Sequence, residues 1–208
     1  MNPVIQAIKK RRSVRSYKAK PVPTDIIEML IDAGNWAPTG CNFQPWRFVV
    51  VTDPTARLKL LAAARPSYRR SIEGFLDARG HLREHITEML PRCLGWAPGA
   101  YESLVNSLLE TQDAVYYSAP VIIFVIGSPP MTVDPDCTMV CQNIMLAAHS
   151  LGLGSCWVGF GSRIRHDPEI VATLELREEE TIYGPIVVGY PDILPDPPEK
   201  KEATVKWI

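Results

Sequence analysis

The longest unbroken apolar run in this chain, Val121–Ile126 directly after Pro120, has the length of a strand. A helix that crosses a bilayer needs roughly 20 apolar residues, so this run reads as the buried centre of a sheet and no membrane span is expected. Strand-like segments also occur at Phe48–Thr52, which is apolar and β-branched, at Ser155–Val158 and at Thr181–Gly189. Between them lie helical patterns opened by local start signals. Asn2-Pro3 reads as an N-cap with proline at N1, turning Val4, Ile5 and Ile8 inward. Asp25-x-x-Glu28 resembles a capping box ahead of the stripe Ile26, Ile27, Leu30 and Ile31, which stops near Gly34. Asp53-Pro54 and Asp167-Pro168 start two further helices. Asp134-Pro135 opens the longest apolar one, closed by Gly152. A helix is also expected over about 101–117.

Helices outnumber strands and do not alternate in strict βαβ units. The expected fold is therefore α+β, with a central, mostly antiparallel sheet of about four or five strands flanked by helices. No linker divides the chain, so residues 1–208 read as one domain. Residues 65–101 resist regular patterning, and 192–208 form a proline-rich extended arm.

Composition removes several function classes. The 22 basic and 23 acidic residues nearly cancel, so general attraction to nucleic acid or to an anionic membrane is not expected. The N-terminal charges follow a short apolar patch, the reverse of a signal peptide. With five cysteines, an odd number, the chain reads as a reduced cytoplasmic protein. Cys137 and Cys141 stand at helical spacing without a second Cys/His pair. His81 and His85, also one turn apart, lack a third ligand. No metal site is expected.

Two segments carry chemistry. In Lys9-Lys10-Arg11-Arg12-Ser13-Val14-Arg15, three guanidinium groups and a hydroxyl stand where the first helix stops. Arginine forks suit phosphate, although a basic helix end also complements the helix dipole. The loop Trp36-Ala37-Pro38-Thr39-Gly40-Cys41-Asn42-Phe43-Gln44-Pro45-Trp46 presents the amides of Asn42 and Gln44 between prolines. Those groups can read an amide–imide edge, or can simply belong to a helix-to-strand connection.

Together, Arg11-Arg12-Ser13-x-Arg15-x-Tyr17 followed by Ala37-Pro38-Thr39-Gly40-x-Asn42-x-Gln44-Pro45-Trp46 resembles the opening of the nitroreductase family. Gln142–Trp157 is similar to that family's central helix and the glycine turn after it. Ile186–Pro191 is similar to its last core strand, and Lys200-Lys201 to its basic ending. The resemblance implies an FMN-binding homodimer with flavin at the subunit interface. It implies an NAD(P)H-dependent oxidoreductase in which NADH or NADPH passes hydride to flavin N5, and a small-molecule acceptor such as a nitroaromatic or quinone then replaces it, in ping-pong order.

By position, the resemblance gives Arg11, Arg12, Ser13 and Arg15 the phosphate, ribityl and pyrimidine end. Pro38, Thr39, Gly40 and Asn42 reach the flavin from the partner subunit, with Gln44 nearby. The backbone of Cys156, Trp157, Val158 and Gly159 lies against the reactive edge, and Lys200 or Lys201 closes over the phosphate. No acidic residue follows the glycine turn, so the flavin carries the chemistry and no catalytic side chain is named. Cys156 and His149 read as core or interface residues. The 65–101 segment, with Tyr68, Arg69, Arg70 and Trp96, reads as a lid that selects the acceptor or as a dimer-embracing excursion. The competing readings are a dehalogenating or flavin-fragmenting branch of the superfamily, a flavin sensor without turnover, and a basic-armed nucleic-acid module.

Overall fold

The computed structural model describes residues 2–77, 83, 113–129, 133–165 and 167–208. Strand β2 (Val121–Gly127) is buried at every position, as its unbroken apolar run requires. It pairs antiparallel with β1 (Trp46–Val51) on one side, Phe124 facing Val49, and with β4 (Thr181–Gly189) on the other, Ile123 facing Ile186. Strand β3 (Gly154–Trp157) completes the order β1-β2-β4-β3, again antiparallel. The α+β expectation with an antiparallel sheet is borne out.

Alternation along β2 builds a core on each face. Ile122, Phe124 and Ile126 pack with Leu60, Leu61 and Ala64 of α3 (Pro54–Glu73) and with Ile170 of α5 (Pro168–Thr173). Val121, Ile123 and Val125 pack with Ile27 and Leu30 of α2 (Thr24–Asn35) and with Val140, Cys141 and Ile144 of α4 (Val133–Ser150). At roughly 25 cal/mol per Å² of apolar surface removed from water, these two layers are the principal stabilising term. Arg47 of β1 ties the far side together. Its guanidinium donates to both carboxylate oxygens of Glu180 at 2.8 and 2.7 Å and to the carbonyls of Leu174 and Glu175. The Glu180 carboxylate, 1% exposed, is held down to about 2, first by that hydrogen bond.

Three start signals formed as read. Asn2 accepts from the Val4 amide, Asp53 from Ala56, and Asp167 from Glu169 and Ile170. Two expectations are corrected. Helix α2 starts at Thr24 with Pro23 as its cap residue and no side-chain capping bond, so the Asp25–Glu28 box does not form. Helix α1 (Pro3–Lys10) buries none of its residues, and Val4, Ile5 and Ile8 are 64%, 46% and 52% exposed rather than turned inward. Among the described residues its apolar stripe finds no covering element.

The segment expected to be irregular from residue 65 begins as the last turns of α3, passing through Pro66. Tyr68 is buried there, edge-on to Phe160 at 5.2 Å between ring centroids. Arg69 pairs with Glu73 on the helix surface. Residues 78–82 and 84–112 lie outside the described residues, and with them the rest of the lid reading, His81, His85, and most of the helix expected over 101–117. At its end, residues 113–118 form a turn.

Candidate functional site

Helix α1 ends because Arg11 leaves helical geometry, with φ −55 and ψ 139. Arg12 turns back and donates to the carbonyls of Lys9 and Arg11, both at 2.8 Å, capping the helix's C-terminal end. The chain then runs extended along the open edge of β3. Ser13 forms a parallel bridge with Ser155, and the Val14 amide donates to the Ser155 carbonyl at 3.0 Å. This close approach needs a glycine opposite. A Cβ on Gly154 would sit 2.8 Å from the Val14 side chain. Further on, Lys18 donates to the Tyr190 carbonyl and the Lys20 ammonium lies 4.1 Å from the Tyr190 ring centroid. Two segments predicted separately, Arg11–Arg15 and Cys156–Gly159, thus share one edge.

Around that edge, positive charge accumulates. Among the described residues, none of Arg11, Arg12 and Arg15 is ion-paired with a carboxylate. His149, half-buried in the last turn of α4, joins them. Burial, then Arg11, Arg12 and Lys10, lower its pKa. Arg15 lies with its guanidinium carbon 6.0 Å from the Tyr117 ring centroid and donates to the Ser13 carbonyl at 3.4 Å. Tyr17 donates to the Val14 carbonyl at 2.6 Å. Tyr117 and Ser118 both have positive φ, 56° and 53°, in a turn capped by Asp113. Among the described residues the buried Ser155 hydroxyl has no hydrogen-bond partner.

Beyond β3, the Val158 amide is already taken by the Pro185 carbonyl at 2.9 Å. Gly159 is exposed, and a Cβ built on it meets nothing within 4 Å. Cys156 is 2% exposed, and burial pushes its thiol up against the lowering effect of Arg15. That keeps it protonated and unsuited to nucleophilic attack. An edge with unpaired cations, an orphaned buried hydroxyl and open backbone at a glycine suits a planar molecule that carries a phosphate.

The amide loop is elsewhere. Thr39 donates its hydroxyl hydrogen to Asp136 Oδ2 at 2.8 Å in the first turn of α4, so the loop sits at the opposite end of that helix from His149. At 1.5 Å per residue the two ends are roughly 20 Å apart. Pro38 and Asn42 are exposed at the loop, and Gln44 spends its side-chain amide on the Asn42 carbonyl at 3.3 Å. Lys200 and Lys201 are exposed on the extended arm. One chain therefore gathers Arg11, Arg12, Ser13, Arg15 and Cys156–Gly159. It does not bring Pro38–Gln44 to them.

Sequence reasoning passed over Tyr117, Asp136 and the charged neighbourhood of His149. Each lies far along the chain from its partner, and no local pattern marks it. A groove of about 730 Å³ runs between α2 and the outer edge of β1, lined by Ile27, Ile31, Phe48 and Val50 with Glu28 and Asp32. It is on the sheet edge opposite the arginine segment.

A family model described as "Nitroreductase family" matches residues 8–190. The chain is 28% identical over 197 residues to chloronitrobenzene nitroreductase from Comamonas testosteroni, covering 89% of this chain and 85% of that one. It is 26% identical over 219 residues to iodotyrosine deiodinase from Haliscomenobacter hydrossis, covering 95% and 85%. In fold it is similar to a nitroreductase with bound FMN from Bacteroides fragilis, with a TM-score of 0.74, 24% identity and full coverage of both chains.

Proposed function

The chain belongs to the nitroreductase family, and from that premise we propose that it is an FMN-dependent oxidoreductase drawing on NADH or NADPH. Its acceptor is a nitroaromatic, a quinone or a similar small molecule, reduced in ping-pong order. The observation that carries the reading is the shared edge, where Val14 bonds to Ser155 and sets Arg15 beside Cys156–Gly159. When bound, FMN would supply the hydride-transfer chemistry between donor and acceptor. The chain's own residues bind and orient. Arg11, Arg15 and His149 neutralise phosphate, Ser13 and the unpartnered Ser155 hydroxyl serve the ribityl and phosphate oxygens, and Gly159 leaves space for the ring edge. Lys200 or Lys201 closes over the phosphate.

A homodimer follows from the same reading. The groups expected at one ring end, Arg15 and the Asn42 loop, stand at opposite ends of α4, so the loop that meets a given flavin comes from a second copy. The bare face of α1 and the exposed tail residues Val205, Trp207 and Ile208 supply apolar surface for that copy. The groove beside β1 gives such a tail an edge strand to join. Among the described residues no helix is long and apolar enough to cross a membrane. The described cysteines, Cys41, Cys137, Cys141 and Cys156, are all free, which supports a reducing, cytoplasmic setting.

The test is the colour of the purified protein. A yellow preparation whose visible band bleaches with NADH or NADPH supports the enzyme. A colourless protein that FMN does not reconstitute overturns it. Arg15→Ala removes one charge-assisted contact and is expected to weaken FMN roughly tenfold to a hundredfold. The likeness to iodotyrosine deiodinase favours one second reading, reductive dehalogenation. Iodide release from 3-iodotyrosine by the reduced protein, without turnover of nitroaromatics, would select it.

A further inference from the structure

We infer that Asp136 is a positioning residue for the cofactor, acting through Thr39, whose hydroxyl serves the inside of its own loop rather than the flavin. The inference rests on the FMN reading above. Thr39 Oγ1 makes two bonds of opposite sense, donating to Asp136 Oδ2 at 2.8 Å and accepting from the Gln44 backbone amide at 3.2 Å. A hydroxyl has one hydrogen. Spending it on Asp136 aims a lone pair at Gln44, so the carboxylate sets the direction of the whole relay.

The loop needs such an anchor. Cys41, Asn42 and Gln44 have φ of 49°, 57° and 48°, and none is glycine. Non-glycine residues hold this region only where surrounding structure over-determines it. The inner bonds, Asn42 amide to Thr39 carbonyl at 3.3 Å and Phe43 amide to Gly40 carbonyl at 3.0 Å, close the turn upon itself. The Thr39–Asp136 bond ties that turn to the body of the protein. Asp136 is 3% exposed and sits in the first turn of α4, where the helix dipole favours a carboxylate. With Thr39 held inward and Gln44 bonded to the Asn42 carbonyl, the exposed Asn42 side chain is the amide presented outward. Asp136 thereby fixes where Asn42 meets the flavin of a second copy.

The experiment compares Thr39→Ser, Thr39→Val, Asp136→Ala and the Thr39→Val/Asp136→Ala double variant in the full chain. It measures FMN dissociation constant, flavin midpoint potential and unfolding midpoint. Thr39→Ser keeps the hydroxyl and is expected to match the parent. Thr39→Val and Asp136→Ala each weaken FMN roughly five- to tenfold and move the potential, and the double variant adds little to either. Unchanged affinity and potential in Thr39→Val and Asp136→Ala, in a parent that binds FMN, overturn the inference and leave the functional reading standing. Effects that add in the double variant, or that appear only as lower unfolding midpoints, also overturn it. A parent that takes up no FMN overturns both.

Discussion

The Val14 amide donates to the Ser155 carbonyl at 3.0 Å, and that bond makes the arginine segment an extra rung on the edge of β3. Gly154 permits the approach, since any side chain there would overlap Val14. A helix end that is merely basic becomes, through this contact, a cationic rim on the strand that leads to Gly159.

Two glycine substitutions separate scaffold from site. Gly154→Ala meets Val14 at 2.8 Å, so it is expected to cost about 1–3 kcal/mol by overpacking and to displace Arg15, lowering FMN content as well. Gly159→Ala has open space around its Cβ and is expected to leave stability within about 0.5 kcal/mol while loosening FMN. Thermal unfolding and flavin titration of both variants check this; tight FMN binding by Gly159→Ala would move the ring away from that backbone.

Helix α1 offers a test of assembly. Ile5 and Ile8 are 46% and 52% exposed, so Ile5→Asp/Ile8→Asp disturbs no core. The expected outcome is a shift from dimer to monomer in analytical ultracentrifugation, with loss of flavin because the loop of a second copy is withdrawn. A dimer that persists would place the interface elsewhere.

Acid should find Glu180. Its folded-state pKa is about 2, below an ordinary 4.5, because Arg47 and the Arg177 amide hold the charged form. The unfolded chain therefore binds more protons in this window, and stability rises with pH. The contribution is complete above about pH 4.5 and is lost as pH falls toward 2. Glu180→Gln, which strands Arg47, is expected to cost roughly 2 kcal/mol near neutrality and to flatten the stability profile between those limits. Chemical denaturation from pH 2 to 7 reads both effects.

His149 reports on the anion. Its pKa is lowered in the free chain by burial and by the adjacent Arg11, Arg12 and Lys10. A phosphate bound among those cations offsets their field and raises it. Proton uptake should then accompany binding, so affinity falls as pH rises through the His149 titration. NMR titration of the imidazole with and without FMN, set beside His149→Gln, gives the measurement. An unmoved His149 pKa would separate the phosphate from this end of α4.

How much was legible along the chain depended on the range of the interaction. The β2 run, the Asp53 and Asp167 caps and the Gly152 stop were readable because each is settled within a few residues. The Asp25–Glu28 box was not, because Pro23 already sets the chain's entry into α2, and Glu28 lines the groove beside β1 instead. The stripe Val4, Ile5, Ile8 was recognised as one apolar face, but periodicity says nothing about which surface covers it. Among candidate site residues, the Arg11–Arg15 segment stood out by composition, while Cys156–Gly159 came from the resemblance alone. Tyr117 and Asp136 did not stand out, since each acquires meaning only from a partner distant in sequence.

The sequence by itself determined the strands and most helix starts among the described residues, and which stretches carry arginine forks and amides, because those follow from local propensity and side-chain chemistry. Tertiary structure alone decided how they combine. It laid the arginine segment against β3, carried the Thr39–Gln44 loop to the far end of α4 and, among the described residues, left the face of α1 bare. The physical reason is that α4 is a rigid rod: Thr39 bonds to Asp136 in its first turn, while its last turn, with His149, lies near the arginine segment that Val14 ties to β3. That spacing holds two motifs of one chain apart, which is the ground for the proposal that a second copy completes the site.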